Sequence, residues 1–334
     1  MDKRLIDKIR ESGGHADIGT AEEGAIVEMK NYDGRLIILK EKAIYEMVFA
    51  DFIDPDRTNE YLSPTIHKLI INKGADSPIV CKTFIIAKTL LNNDHIIEEV
   101  NCNEIVYLSI NLLEEINQLE REILNYKSDQ DRVSEIYDQN RKKNQALEVP
   151  SITELDSKCK TIFQKTDHIE QILMVIITNF YYKNKLTKQS HFPKFLEIIV
   201  EKYGEEDQFV LFISSILKFM EILRELRNGF DHRLNTVKAT NFDIQKDGNI
   251  ISPTIELNHK TVKLERTDLL QFLECTLQNF LLIAENTFAF LAEKHKRTDR
   301  LPIFVNEIPM EKRRYENVSY CFWSNIGEGG FYMQ

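Results

Sequence analysis

Apolar residues along the chain follow two kinds of spacing. From Asn103 onward they recur every three or four positions: Ile105, Leu108, Leu112, Ile116, Leu119 and Ile123 keep a heptad-like step, with Glu114, Glu115, Glu120 and Glu122 on the other face. That period predicts an α-helix with one buried side. It returns behind Ser151 and Glu154, which fit a capping box, and continues to about Tyr182. It recurs in a short helix at Lys194–Lys202 closed by Gly204, in Gln208–Arg233, and in Thr267–His295. Ser128–Asn144 is charged and poor in apolar residues, as either an exposed helical extension or a mobile connection would be.

The first 93 residues have another texture. Gly13-Gly14 and Gly19 mark a loop, and Ala25–Met29 and Arg35–Leu39 flank Asn31-Tyr32-Asp33-Gly34, a pattern for a tight hairpin. Two or three helices are expected after it: Lys42–Phe52 with Ile44, Met47, Val48 and Phe52 on one face, one opened by Ser63-Pro64, and Lys82–Leu91. Strand-like alternation comes back at Asn241–Gln245, Ile250–Leu257 and Thr261–Leu264, separated by Asp247-Gly248-Asn249 and Asn258-His259-Lys260.

These patterns predict a mainly α protein: an antiparallel helical bundle over residues 94–300 with a small β-hairpin or meander inserted at about 241–264, and a smaller α+β unit over residues 1–93. Residues 301–334 form a tail with the only tryptophan, Trp323. Its Gly327, Gly329 and Gly330 precede no helix, so the tail reads as terminal coil or a partner-docking strand rather than a phosphate loop.

Composition narrows the function classes. With 334 residues, 43% of them hydrophobic, the chain can bury a sizeable core. A net charge of −10 excludes general polyanion binding by long-range attraction, so any nucleic-acid contact must use a local basic patch. Lys218, Arg224, Arg227, Arg233 and Lys238 supply one, and Arg141, Lys142 and Lys143 a second run. The five cysteines, Cys81, Cys102, Cys159, Cys275 and Cys321, are scattered without a C-x2-C pair and read as reduced thiols. His15 and His67 stand alone, so no metal site is expected. The charged opening stretch and the absence of any run of about 18 apolar residues lead to the expectation of a cytoplasmic protein with no membrane partner.

Candidate chemistry lies at the end of Gln208–Arg233. There Arg224, Arg227, Asn228, Asp231 and His232 fall on the polar arc of a helical wheel, while Leu223, Leu226 and Phe230 take the apolar side. The fragment Arg227-Asn228-Gly229-Phe230-Asp231-His232 resembles the signature of HEPN domains, an Arg and a polar residue followed by a His. The resemblance implies a HEPN-like helical bundle and a metal-independent endoribonuclease of the toxin or abortive-infection type, in which the RNA 2′-hydroxyl attacks the phosphate to leave 2′,3′-cyclic phosphate and 5′-hydroxyl ends. It implies that His232 moves protons, Arg227 neutralises the phosphorane and Asn228 orients His232 or the phosphate, with Arg224, Arg233, Lys218 and Lys238 as RNA-binding cations. No cofactor is implied. A homodimer with a composite site is, and an antitoxin or activator protein is a further partner that such enzymes take. A non-catalytic HEPN-like dimerisation scaffold and a nucleotide-sensing module, with Arg224 and Arg227 on a phosphate, are the alternatives. In the same chain His168, beside Asp167 and Glu170, reads as a core or interface histidine.

Overall fold

The structure, a computed structural model, describes residues 3–11, 17–32, 34–141, 148–184, 186–187, 190–246, 249–299, 302–327 and 329–334. In chain order its elements are α1 (Leu5–Glu11), β1 (Ile26–Tyr32), β2 (Arg35–Lys40), β3 (Ile44–Phe49), α2 (Ala50–Ile53), β4 (Thr65–Ile71), α3 (Pro78–Val80), α4 (Ile86–Leu90), α5 (Cys102–Arg141), α6 (Leu155–Phe180), α7 (Phe192–Tyr203), α8 (Gln208–His232), β5 (Val237–Thr240), β6 (Asp243–Ile244), β7 (Ile250–Ile251), β8 (Thr254–Asn258), β9 (Lys263–Asp268), α9 (Leu269–Lys294), β10 (Phe304–Glu307), β11 (Tyr320–Ser324) and β12 (Phe331–Met333).

This overturns the expectation of a mainly α, HEPN-like antiparallel bundle decorated with hairpins. Among the described residues the chain is α+β, 51% helix with 19% strand in four antiparallel sheets. Two compact units carry them: one joins the N-terminal residues through Ile110 to Ala292–Gln334, and the other is Asn111–Leu291.

In the first unit β1-β2-β3-β4 form a sheet in that order, and β1 and β2 make the expected hairpin, with Tyr32 opposite Arg35; Asp33 of its turn lies outside the described residues, as do Gly13, Gly14 and His15. The helices expected at Lys42–Phe52 and after Ser63 are strands β3 and β4 instead. Ile44, Tyr45, Val48, Ile66 and Ile70 are β-branched or aromatic, and pairing of Leu36 with Met47 and of Val48 with Ile66 overrides a local period that suits either state. Ile38, Ala43, Tyr45 and Met47 form a buried cluster under the sheet. Beside it Lys40 is buried and its Nζ donates to Ile18 O at 2.9 Å, Thr20 O at 2.8 Å and Glu23 Oε2 at 3.0 Å, which keeps the buried ammonium fully paired. The expected helix at Lys82–Leu91 is present as α3 and α4 joined by a π-helical stretch, Cys81–Ile85. The tail is neither coil nor a free strand: β10-β11-β12 form a sheet against which α4 packs, with Phe304 and Tyr332 on either side of Trp323.

In the second unit α8 packs against α6 and α7, and β5 and β8 also lie on it. Ile162, Phe163, Leu173, Ile213, Met220, Leu223 and Phe280 are buried there. Helix α5 runs unbroken to Arg141; Lys142 and Lys143 lie outside the described residues. The capping box at Ser151 and Glu154 does not form, because Glu154 takes a left-handed conformation before α6. Asn241 ties that loop instead, its Oδ1 accepting from Ile152 N and its Nδ2 donating to Ser151 Oγ. Between α8 and α9, where a small hairpin or meander is expected, the chain makes two antiparallel sheets among the described residues, β5-β8-β9 and β6-β7; Asp247 and Gly248 lie outside the described residues. Asp268, the last residue of β9, caps α9 by accepting from Gln271 N at 2.8 Å. Among the described residues no helix is long and apolar enough to cross a membrane.

Candidate active site

Helix α8 holds the motif because its two ends are well stopped. Asp207 at the N-terminus accepts from Phe209 N at 2.9 Å, and Arg233 at the C-terminus turns left-handed, with φ of 51°, so that the N–H groups of Arg233 and Leu234 both reach Gly229 O. The apolar face, with Leu223 and Leu226 buried, fixes the rotation of the helix and so the direction of its polar arc.

That arc does not face solvent as a row of free donors. Arg227 is one-third exposed: its Nη1 donates to Asn228 Oδ1 at 3.0 Å, its Nη2 lies 3.6 Å from Asp167 on α6, and its Nε lies 3.1 Å from Asp231, poorly aligned for a hydrogen bond. Asp231 also accepts from Gln164 Nε2 at 3.1 Å and pairs with Lys160 Nζ at 3.2 Å. Burial pushes the Asp231 carboxyl up, but Lys160, Gln164 and Arg227 outweigh it and hold the group below the ordinary carboxylate range. Arg224 donates through Nη2 to Glu170 Oε1 at 2.8 Å, and the same buried oxygen lies 3.1 Å from His191 Nδ1. Lys165 Nζ sits 3.3 Å and His168 Nδ1 3.5 Å from Glu115 on α5; the His168 side chain is half exposed, so it is a surface histidine rather than the core or interface histidine expected from the sequence.

Of the motif residues, then, Arg227 and Asn228 are in contact and His232 is apart. Five positions on a helix are about 140° of rotation and about 7.5 Å of rise. His232 is exposed and has no hydrogen-bond or ion-pair partner among the described residues. On its side of α8 the β8–β9 turn brings His259 Nε2 within 3.7 Å of Glu225. Arg233 and Lys218 are exposed and equally without partners, while Lys238, on β5, pairs loosely with Glu256 at 3.5 Å. The sequence reading placed Asp231 on the polar arc and noted Asp167 beside His168 but gave neither a role at the site, and it did not single out Lys160 and Gln164 on α6. The signal was there in the three- and four-residue spacing of polar positions 160, 164 and 167 on α6, which matches that of 224, 227 and 231 on α8.

Lys160, Asp231, Arg233 and Lys238 also border a groove of about 610 Å³ between α6, the end of α8 and β5. No protein-family model, no curated protein and no solved structure matches the chain.

Proposed function

We propose that the protein is a metal-independent endoribonuclease that resembles HEPN toxins and abortive-infection ribonucleases in its Arg227-Asn228-His232 motif. The observation that carries this reading is the state of His232: an exposed imidazole at the end of a well-anchored helix, flanked by Arg233, with neither side chain paired among the described residues. Transesterification of RNA needs side chains that move protons at the attacking and leaving oxygens, and histidine is the residue type that most often does this. In this reading a histidine takes the proton of the 2′-hydroxyl as that oxygen forms its bond to phosphorus. The bond from phosphorus to the 5′-oxygen breaks, and the leaving oxygen receives a proton from a second imidazole. Arg227 supplies charge to the phosphorane by exchanging its long contact to Asp167 for a non-bridging phosphate oxygen.

Two imidazoles are needed on opposite sides of one phosphate, and Arg227 and His232 diverge around a single helix. A second copy of the chain meets both needs, which supports a homodimer with a composite site. Growth arrest during phage attack, in the cytoplasm and under the control of an antitoxin or activator, is the setting that the resemblance to such enzymes suggests.

The second reading, a non-catalytic dimerisation or nucleotide-sensing module, is favoured by one observation: Arg227 is already neutralised by Asp167 and Asp231. Incubation with total RNA in EDTA separates the two. The ribonuclease reading expects cleavage that spares DNA, a loss of about 10²- to 10⁴-fold in His232→Ala, and at least about 10²-fold in Arg227→Ala. Wild-type rates in both folded variants, or no cleavage at all, would leave the module reading.

A further inference from the structure

We propose that the groove between α6, the end of α8 and β5 is a nucleotide-binding subsite, with the phosphate held by Arg233 and Lys238 and the base laid on an apolar floor of Phe230 and Val237. Its use as the seat of an RNA residue beside the cleaved phosphate rests on the ribonuclease reading; its affinity for nucleotides does not.

Size is the first argument. A volume of about 610 Å³ suits one nucleotide, within the range of about 300–1,000 Å³ usual for ligand sites. Charge is the second. The chain carries a net −10, yet this groove is bordered by three cations, Lys160, Arg233 and Lys238, against two carboxylates, Asp156 and Asp231. Asp231 is already committed to Lys160, Gln164 and Arg227, so the cations left over for a ligand are Arg233, which has no partner among the described residues, and Lys238, whose pairing with Glu256 is exposed and loose. An arginine with no internal partner fits a phosphate better than any other anion-binding side chain.

The backbone supplies a third argument. Arg233 holds φ of 51° as the left-handed C-cap of α8, and its backbone N–H to Gly229 O fixes where its side chain leaves the helix end, at the edge of the groove. The floor completes the site. Phe230 is stacked on the buried Phe163, with centroids 5.7 Å apart and planes at 6°, so its ring is locked in place as a platform for a base. Across the groove Asp156 presents a carboxylate to accept from sugar hydroxyls, which would favour ribose over deoxyribose.

The nucleotide can come from an RNA strand or from solution, and titrations distinguish the two. Full-length protein carrying His232→Ala, which the ribonuclease reading renders unable to cleave, is titrated with octameric oligouridylate, octameric oligothymidylate, UMP and AMP. Expected results are binding of the ribo-oligomer ahead of the deoxy-oligomer, at least tenfold weaker binding in Arg233→Ala/Lys238→Ala, and about fivefold or more in Phe230→Leu. Oligomer binding without mononucleotide binding assigns the groove to an RNA strand, and the converse assigns it to a free nucleotide. Lys238→Glu alone, on an exposed strand position, serves if the double variant alters the end of α8. The proposal is overturned if neither oligomer at 100 micromolar nor mononucleotide at millimolar concentration binds, or if binding is unchanged in variants that melt with wild type. RNA cleavage by wild type without groove-dependent binding would sink this inference alone; groove-dependent binding without any cleavage would sink the ribonuclease reading alone.

Discussion

A Cβ built on Gly229 would stand 2.1 Å from Cγ2 of Val237, far inside van der Waals contact. The glycine in the middle of the motif is therefore where strand β5 lies down on helix α8, and it sets how closely the floor of the groove approaches the helix. Helix propensity taken alone would favour alanine by about 1 kcal/mol, but the clash decides the sign. Gly229→Ala should destabilise the protein by about 1–3 kcal/mol, and Gly229→Ala/Val237→Ala should recover most of the loss. Urea denaturation of the single and double variants checks this; additive effects would contradict a direct contact.

Arg224 and Glu170 carry the second prediction. Glu170 is only 4% exposed, and Arg224 holds it at 2.8 Å with His191 on the same oxygen. Removing the carboxylate leaves a largely buried guanidinium unpaired. Glu170→Ala should cost about 2–3 kcal/mol, below the full figure for a buried pair because Arg224 keeps some solvent. Arg224→Ala should cost a similar amount, and the double variant clearly less than the two single effects added together, as chemical denaturation would reveal.

Acid should weaken both units. In the first, the Arg4 guanidinium, hydrogen-bonded to Asp7 and helped by Arg57, holds the Asp7 carboxyl down at about 2. In the second, Asp231 is held below its ordinary value against the opposing effect of burial. A carboxylate whose folded value lies below its unfolded one contributes stability that is complete above about pH 4 and is lost as the pH falls through the folded value. Stability should hold level from pH 7 to about 5 on account of these groups and then fall towards pH 2. Asp7→Asn and Asp231→Asn should each flatten that acid limb, measured as denaturation midpoint against pH; an unchanged slope in both would refute the assignment.

Thiol chemistry gives the fourth test. Cys81, Cys102, Cys159 and Cys321 are buried and Cys275 is exposed. Burial pushes the Cys102 thiol up to about 11 and those of Cys159 and Cys321 up to about 12, so thiolate is scarce at these sites. A thiol reagent at pH 8 should modify one cysteine rapidly in the native protein and the rest only on unfolding. Cys275→Ser should abolish the fast phase.

The sequence by itself determined the long helices. The three- and four-residue period over Gln208–Arg233 marks α8 to within one residue, because burial of Phe209, Ile213, Ile216, Met220, Leu223 and Leu226 on one side needs no information from elsewhere in the chain. The hairpin at Asn31–Gly34 was equally legible, since its turn chemistry is local. Strands β3 and β4 were not: Ile44, Met47 and Val48 satisfy a helical face as well as a strand, and only pairing with Leu36 and Ile66, far apart in the chain, decides between them. The same holds for the tail, whose sheet exists because β11 finds β10, β12 and α4. At the candidate site the sequence placed Arg227, Asn228 and His232 on one helix end. Which of them is bound and which is free was settled by α6, whose Asp167, Gln164 and Lys160 engage Arg227 and Asp231 and leave His232 open, because ion pairing depends on distances of a few ångströms between helices that periodicity does not encode.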